Sequence, residues 1–92
     1  MADDLVRRRV VVQGRVQGVF FRDSLRERAR AAGVAGWVSN RSDGAVEAVV
    51  EGREDDVGRV VAFAREGPPR AEVTGVEVSD EAPEGLSGFA VR

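Results

Sequence analysis

The stretch Gly14–Arg22 combines residue types that could bind an anion. It reads Gly-Arg-Val-Gln-Gly-Val-Phe-Phe-Arg and lies between a valine run and a helical pattern that begins near Asp23. Its two glycines permit backbone conformations that other residues avoid, and they let a ligand approach the main chain. Successive N–H groups in such a turn can converge on an anion, and the N-terminus of the next helix adds unpaired donors and about half a positive charge. The stretch therefore predicts a strand-to-helix loop that can hold an oxyanion.

Arg22 stands where a helix disfavours a cation. A positive charge in the first turn opposes the helix dipole, at a cost of roughly 0.3–1 kcal/mol. Its planar guanidinium matches two oxygens of a phosphate or carboxylate, so an anion held between Arg22 and the loop would explain its position. Arg22 could instead be a solvated surface residue that pairs with Asp23 or with another carboxylate. The spacing alone leaves both interpretations open.

Gly14–Arg22 resembles the signature loop of the acylphosphatase family, and a second stretch, Gly36–Val46, fits the same family. The second stretch reads Gly-Trp-Val-Ser-Asn-Arg-Ser-Asp-Gly-Ala-Val, with Gly52 beyond it. Ser39 departs from the longer side chain that is more usual there, but a strand neighbour of Asn40 points to the opposite face of the sheet. The two motifs have the family's order and separation, and the resemblance covers nearly the whole chain.

The resemblance implies a hydrolase that cleaves acyl phosphates to a carboxylate and inorganic phosphate. Water would attack phosphorus directly and in line, without a phosphoenzyme, a metal or a cofactor. Arg22 would bind the phosphate together with the loop amides, and Asn40 would orient the attacking water. The residues expected at the phosphate are Arg15, Val16, Gln17, Gly18, Val19, Phe20 and Arg22. Taken alone, Asn40 would be read as a strand-end residue whose side chain bonds the following turn, and the full signature is what favours the catalytic role.

The amino-acid inventory is compatible with that chemistry and excludes several others. The 92 residues include no His, Cys or Lys, and all fourteen basic residues are arginine. The chain therefore lacks a thiolate nucleophile, a Schiff-base lysine, the usual general base and the commonest metal ligand. A mixed carboxylic–phosphoric anhydride needs none of these, because its leaving group is a carboxylate whose acid has a pKa of roughly 4–5. Binding the phosphoryl oxygens and placing a water in line would be sufficient.

Charge and hydropathy narrow the range of partners. The formal net charge is −2 and the isoelectric point is about 5.2, whereas a nucleic-acid-binding domain is normally basic. No apolar run approaches the ~20 residues of a membrane span, and no signal peptide opens the chain. We therefore expect one domain over residues 1–92 that acts in the cytoplasm as a monomer, without nucleic acid or membrane.

The apolar pattern predicts five strands and two helices. The predicted strands cover residues 6–13, 34–41, 45–51, 70–79 and 88–92, and the predicted helices cover residues 21–32 and 53–66. The order β-α-β-β-α-β, with a short extra C-terminal strand, predicts an α+β ferredoxin-like sandwich in which two helices cover one face of an antiparallel sheet. The acylphosphatase resemblance implies the same fold. The first residues, Met1–Asp4, are polar and expected to fray.

The alternating pattern of the third predicted strand assigns its two faces. Val46, Ala48 and Val50 are expected in the core, and Glu47, Val49 and Glu51 on a face open to water. Three consecutive valines, Val10–Val12, indicate that the first strand is central, with Val10 and Val12 in the core and Val11 on the other face. Trp37 could stack on a ligand or pack in a partly buried position, and packing is the more common role.

A second class of function fits the same fold. Ferredoxin-like sandwiches also serve as RNA-binding and regulatory modules, and fold alone does not determine function. RNA-recognition sheets present aromatic residues on their open face, but this chain has no Tyr, and its Phe residues lie near helices or at Phe89. The alternative that remains is a non-catalytic module that binds a small anionic ligand through the Gly14–Arg22 loop. Such a module would bind phosphate without turnover.

Overall fold

A computed structural model describes residues 5–92, and the predicted frayed segment Met1–Asp4 lies outside them. The seven predicted elements are present in the predicted order. They are β1 (Leu5–Arg15), α1 (Phe21–Ala31), β2 (Ala35–Asn40), β3 (Val46–Arg53), α2 (Glu54–Glu66), β4 (Glu72–Glu81) and β5 (Phe89–Val91). Neither helix within residues 5–92 is long and apolar enough to cross a membrane.

The strands form one sheet in the order β4-β1-β3-β2-β5. The valine strand β1 pairs with β3 on one side and β4 on the other, as its three consecutive valines predicted. The four long strands are antiparallel to their neighbours, but β5 runs parallel to β2, so the prediction of an antiparallel sheet is wrong for the last strand. Residues 82–88 cross from the end of β4 to the far edge at the same end of the sheet. Because β5 starts at that end, it must run in the direction of β2.

Both helices pack on one face of the sheet. The buried stripe of α1 consists of Phe21, Leu25 and Ala29, and that of α2 of Val57, Val60, Val61 and Ala64. These side chains meet Val10 and Val12, each 1 % exposed, and the inward residues of β3. Full burial of one such apolar side chain contributes about 1.5–3 kcal/mol, so this layer fixes α1 against β2 and β5, and α2 against β1 and β3. The loop between β1 and α1 is therefore held at both ends.

The other face of the sheet is covered rather than open. Val49 and Glu51 are 0 % and 4 % exposed, so the prediction that this face of β3 is wet is wrong. The guanidinium groups of Arg7 and Arg9 lie across it and both contact Glu81, at 2.9 Å and 2.6 Å from its two carboxylate oxygens. Arg9 also contacts Glu47, directly beside Val49 on β3. Charged side chains with long apolar stems thus close over the valine.

Glu51 anchors the segment that leads to β5. Its carboxylate accepts hydrogen bonds from the backbone N–H groups of Glu84, Gly85 and Leu86 at 3.0, 2.7 and 3.0 Å, and from Arg7 at 3.4 Å. Burial by itself would raise the pKa of Glu51, but these hydrogen bonds outweigh it and lower that pKa below its usual range. The ionised carboxylate therefore holds the crossing segment against the sheet.

Trp37 has a packing role on this same face. The Arg9 guanidinium carbon lies 5.6 Å from its ring centre, and that of Arg92 lies 4.3 Å away. These are cation–π distances, so the indole contacts both arginines. The ring therefore packs on the sheet face and is not among the residues that line the pocket described next.

Candidate active site

A pocket of about 280 Å³ lies where the start of α1 meets the end of β2. It is lined by Val16, Gly18, Phe20, Phe21, Arg22, Asp23 and Asn40. Arg22 comes from the first predicted motif and Asn40 from the second. The fold therefore brings the two motifs to one cavity.

The loop begins at an irregularity in the pairing of β1 with β4. The register shifts between Gln13 and Gly14, and Gly14 has a φ of +119°. A Cβ at position 14 would lie 2.1 Å from the carbonyl oxygen of Glu72 and 2.8 Å from the nitrogen of Thr74. Gly14 is thus required by the close approach of two strands. The expected unusual backbone conformation of Gly14 is confirmed, and the packing of β1 on β4 is enough to require glycine there.

Gly18 meets a different requirement. No atom lies within 4 Å of the Cβ that another residue would have, so the demand for glycine comes from its φ of +75° alone. Phe20 also has a positive φ, whereas Gln17 and Val19 do not. This alternation in the sign of φ is the backbone pattern that turns successive N–H groups towards a common anion. Left-handed geometry costs a residue with a side chain roughly 1–2 kcal/mol, so Phe20 is strained.

The loop's N–H groups have no protein acceptor. Among the described residues, none of the backbone N–H groups of residues 16–23 donates a hydrogen bond; the first of α1 runs from Ser24 to the carbonyl of Phe20 at 3.0 Å. The loop is held instead by the side chains of Val16 and Val19, which are 1 % and 5 % exposed. Apolar anchors thus fix the backbone while its donors remain available to a ligand.

Arg22 is half-buried and does not pair with Asp23. Its Nη1 donates to the main-chain oxygen of Arg92 at 3.0 Å, and Asp23 lies 3.6 Å from Arg26. Within residues 5–92, no Asp or Glu side chain forms a salt bridge with Arg22. The N–H of Arg92 in turn donates to the carbonyl of Val38 at 2.8 Å. The chain after β5 therefore positions the guanidinium beside the pocket.

Asn40 ends β2 and is exposed, opposite Val46 in the register with β3. Its side chain forms no hydrogen bond with any residue from 5 to 92, so it does not fasten the following turn. Asp43 does this: it accepts from the N–H of Ala45 at 3.1 Å and from Arg41 at 2.8 Å. The bond from Ala45, followed by that from Arg41, holds the pKa of Asp43 below its usual value. The Asn40 amide is thus available at the pocket.

Gln17 links the loop to that turn. Its Nε2 donates to the carbonyl oxygens of Arg41 and Ala45, at 2.7 Å and 3.0 Å. Sequence reasoning named Gln17 only as a phosphate contact, whereas the structure uses its side chain to hold the two motifs together. Long-range hydrogen bonds of this kind leave no periodic signal in the sequence.

The lining agrees with only part of the predicted set. Val16, Gly18, Phe20 and Arg22 line the pocket, while Arg15 lies in β1 opposite Glu72 and is exposed. Gln17 and Val19 also fall outside the lining, since their side chains bond the turn and enter the core. Sequence reasoning missed Phe21 and Asp23, which flank Arg22 in the first turn of α1. Their adjacency to Arg22 was the available signal.

Within residues 5–92, no group of three or more His, Cys, Asp or Glu is arranged to hold a metal ion.

Known proteins resemble this chain along nearly its whole length. Residues 8–91 match the family model described as Acylphosphatase. An acylphosphatase of Rubrobacter xylanophilus is 60 % identical over 85 residues, which cover 91 % of this chain and 77 % of its own. One of Haloarcula marismortui is 57 % identical over 86 residues, or 94 % of each chain. The crystal structure of acylphosphatase from Bacillus subtilis superposes with a TM-score of 0.91 at 38 % identity, covering 95 % of this chain and 98 % of that one.

Proposed function

The chain belongs to the acylphosphatase family and is an enzyme that hydrolyses acyl phosphates, and we propose that Arg22, the loop amides and Asn40 carry out the reaction. The single observation behind this assignment is that Arg22 and Asn40 line one pocket whose loop N–H groups have no protein acceptor. The relatives are named as enzymes, and no observation favours the alternative of a non-catalytic anion-binding module.

The phosphoryl group binds between the loop and Arg22. Unpaired N–H groups that converge in a loop or lie at a helix N-terminus stabilise negative charge. A guanidinium can add two parallel, charge-assisted hydrogen bonds to the same anion. Of the main-chain donors predicted from Arg15 to Phe20, those of Val16, Gly18 and Phe20 have the strongest support because these residues line the pocket. Arg15 has the weakest, since it is paired within the sheet.

Asn40 orients the attacking water. The water oxygen forms a bond to phosphorus, the bond from phosphorus to the carboxylate oxygen breaks, and the carboxylate leaves with the electron pair. The proton of the water goes to solvent or to a phosphoryl oxygen, because an amide is not a base. The weakly basic carboxylate leaves without a general acid, so positioning and charge stabilisation are sufficient, and no metal is required.

Hydrolysis of benzoyl phosphate, followed by ultraviolet absorbance with a chelator present, tests these roles. The wild type should turn over without metal. Arg22→Ala should lose both turnover and competitive inhibition by inorganic phosphate, while Asn40→Ala should lose kcat and retain that inhibition within about twofold. Substantial turnover by folded Arg22→Ala would contradict the assignment of this pocket as the active site. An Asn40→Ala variant with unchanged kcat and a raised KM would contradict the proposal that Asn40 positions the water.

We also propose that the enzyme works in the cytoplasm as a monomer on small acyl phosphates and has no nucleic-acid partner. The acidic isoelectric point of about 5.2 supports the last point. Fractionation of the source cells and analytical ultracentrifugation of the purified protein test the other two. Recovery outside the cytoplasm, or a sedimentation coefficient of a dimer, would contradict them.

A further inference from the structure

Phe20 combines three features that are unusual in one residue. It is a large apolar residue that is 72 % exposed. It is the only residue other than glycine with a positive φ in the described part of the chain, at +65°. It also occupies the N-cap of α1, where Ser, Thr, Asp or Asn would supply a hydrogen bond that it does not. The left-handed backbone and the missing cap both cost stability, and a residue with such costs at a pocket points to a function.

The adjacent phenylalanine shows what the core requires. Phe21 is 1 % exposed, and its ring centre lies 6.4 Å from that of Phe63. Phe20 follows none of this packing, because its left-handed backbone turns it out of the core. Of two consecutive phenylalanines, one is buried and the other is left to water at the pocket.

The pocket is larger than its phosphate. A phosphate has five heavy atoms, and at roughly 30 Å³ for each, the volume of a water molecule in the liquid, it takes about 150 Å³. The cavity of about 280 Å³ therefore has room for more of the substrate. Once the phosphoryl group lies against Arg22 and the loop amides, the acyl group is the part left to occupy that room. Phe20 is the exposed aromatic residue among the residues that line it.

We propose that the exposed ring of Phe20 contacts the acyl group of the substrate and makes the enzyme favour acyl phosphates with aromatic or other apolar acyl groups over acetyl phosphate. The proposal rests on the proposed function, since the phosphoryl group must occupy the cradle first. An apolar acyl group covers ring surface that is otherwise in water, and an aromatic one adds the preference of aromatic pairs for stacked or edge-on contact. An acetyl group offers a single methyl for the same contact.

The ratio of kcat/KM for benzoyl phosphate to that for acetyl phosphate measures this contact. Phe20→Asn removes the ring, and asparagine both tolerates left-handed backbone and caps helices, so the variant should fold. Phe20→Trp keeps an aromatic surface. Val78→Asn is the matched control, because Val78 is also an exposed apolar residue, at 37 %, but lies on β4 outside the pocket lining. Each variant is also assayed for inhibition by inorganic phosphate.

Phe20→Asn should lower the ratio roughly three- to tenfold, while Phe20→Trp and Val78→Asn stay within about twofold of the wild type. A ratio within twofold for Phe20→Asn, or an equal fall for Val78→Asn, would overturn the proposal. So would a Phe20→Asn variant that loses both substrates equally and binds phosphate more weakly, because Phe20 would then only shape the cradle. Failure of the proposed function is a separate result, seen as turnover retained by Arg22→Ala.

Discussion

Two regions of the molecule use arginine for different ends. On the covered sheet face, Arg7 is 6 % exposed and contacts the carboxylates of Glu51, Glu81 and Glu84. At the pocket, Arg22 contacts no side-chain carboxylate within the described residues and donates to the main-chain oxygen of Arg92. The first guanidinium is neutralised by the fold, whereas the second retains hydrogen-bonding capacity for an anion.

The difference follows from what burial costs a charge. A guanidinium removed from water needs carboxylates close by, since an unpaired buried charge costs several kcal/mol. The pKa of Arg7 is accordingly raised, first by the hydrogen bond to Glu81, even though burial opposes this. A half-buried arginine at a pocket is still reached by water and needs no such partners. Exposure and neighbours therefore separate a structural arginine from a binding one, although the residue type is the same.

Of the exchanges that test this difference, Arg22→Lys has the largest expected effect. Lysine keeps the charge but loses the planar fork, so kcat/KM for benzoyl phosphate should fall about 10²-fold. The free energy of unfolding in urea should change by less than about 1 kcal/mol, because a single hydrogen bond to Arg92 is lost. Arg26→Lys, one turn along α1, is the matched control and should leave both quantities unchanged. A fall in stability comparable with the loss of activity would mean that Arg22 is structural.

The same substitution at Arg7 should give the opposite pattern. A single ammonium cannot reach Glu51 and Glu81 as the guanidinium does, so Arg7→Lys should lower the free energy of unfolding by about 2 kcal/mol. Its kcat/KM should stay within twofold of the wild type. Arg8→Lys is the control on the same strand, because its partner Asp80 is 84 % exposed and such surface pairs contribute about 0–1 kcal/mol. Equal losses for Arg7→Lys and Arg8→Lys would refute the distinction.

The ionised state of Glu51 makes the sheet face sensitive to acid. Its pKa is lowered in the folded protein, so the unfolded chain takes up the proton first as the pH falls below the ordinary value of about 4.3. Stability from Glu51 is therefore present above that pH and lost as the pH approaches the lowered value. Urea midpoints between about pH 3 and pH 6 should fall less steeply for Glu51→Gln than for the wild type.

The slope should be reduced rather than abolished, because the pKa values of Glu81 and Asp43 are also lowered and remain in the variant. Glu81 is held by Arg9 and Arg7, and Asp43 by the N–H of Ala45 and by Arg41. Identical slopes for the wild type and Glu51→Gln would show that Glu51 does not contribute to the acid sensitivity.

Most of the fold could be predicted from periodic patterns. The stripes of α1 and α2 and the valines of β1 repeat at the spacing of one buried face, which local sequence records directly. The predicted family and activity are also confirmed by the comparisons. The direction of β5 was missed because it depends on where residues 82–88 cross the sheet, and no local pattern encodes that path.

The covered sheet face was missed for a related reason. Glu51 alternates with core residues and looks solvent-facing in isolation, but Arg7 and the N–H groups of residues 84–86 reach it from distant parts of the chain. At the site, contiguous motifs indicated Arg22 and Asn40. The contacts that hold them, from Arg22 to Arg92 and from Gln17 to the β2–β3 turn, are long-range and had no local signal. The predicted roles of Arg22 and Asn40 stay predictions until the variants are assayed.

Gln17 has the smallest expected effect of the residues tested. It is a polar residue of the loop, but its side chain holds the structure together, so it tests the same distinction between structural and ligand-binding side chains. Its two hydrogen bonds, to Arg41 and Ala45, set the distance between the loop and the end of β2. Gln17→Met keeps the length and loses both donors, so kcat should fall roughly two- to tenfold, while inhibition by phosphate, which depends on the loop amides, should stay within twofold. Gln17→Glu should be worse, since its carboxylate faces two carbonyl oxygens. If phosphate inhibition weakened and kcat held, the Gln17 side chain would contact the ligand instead of linking the two motifs.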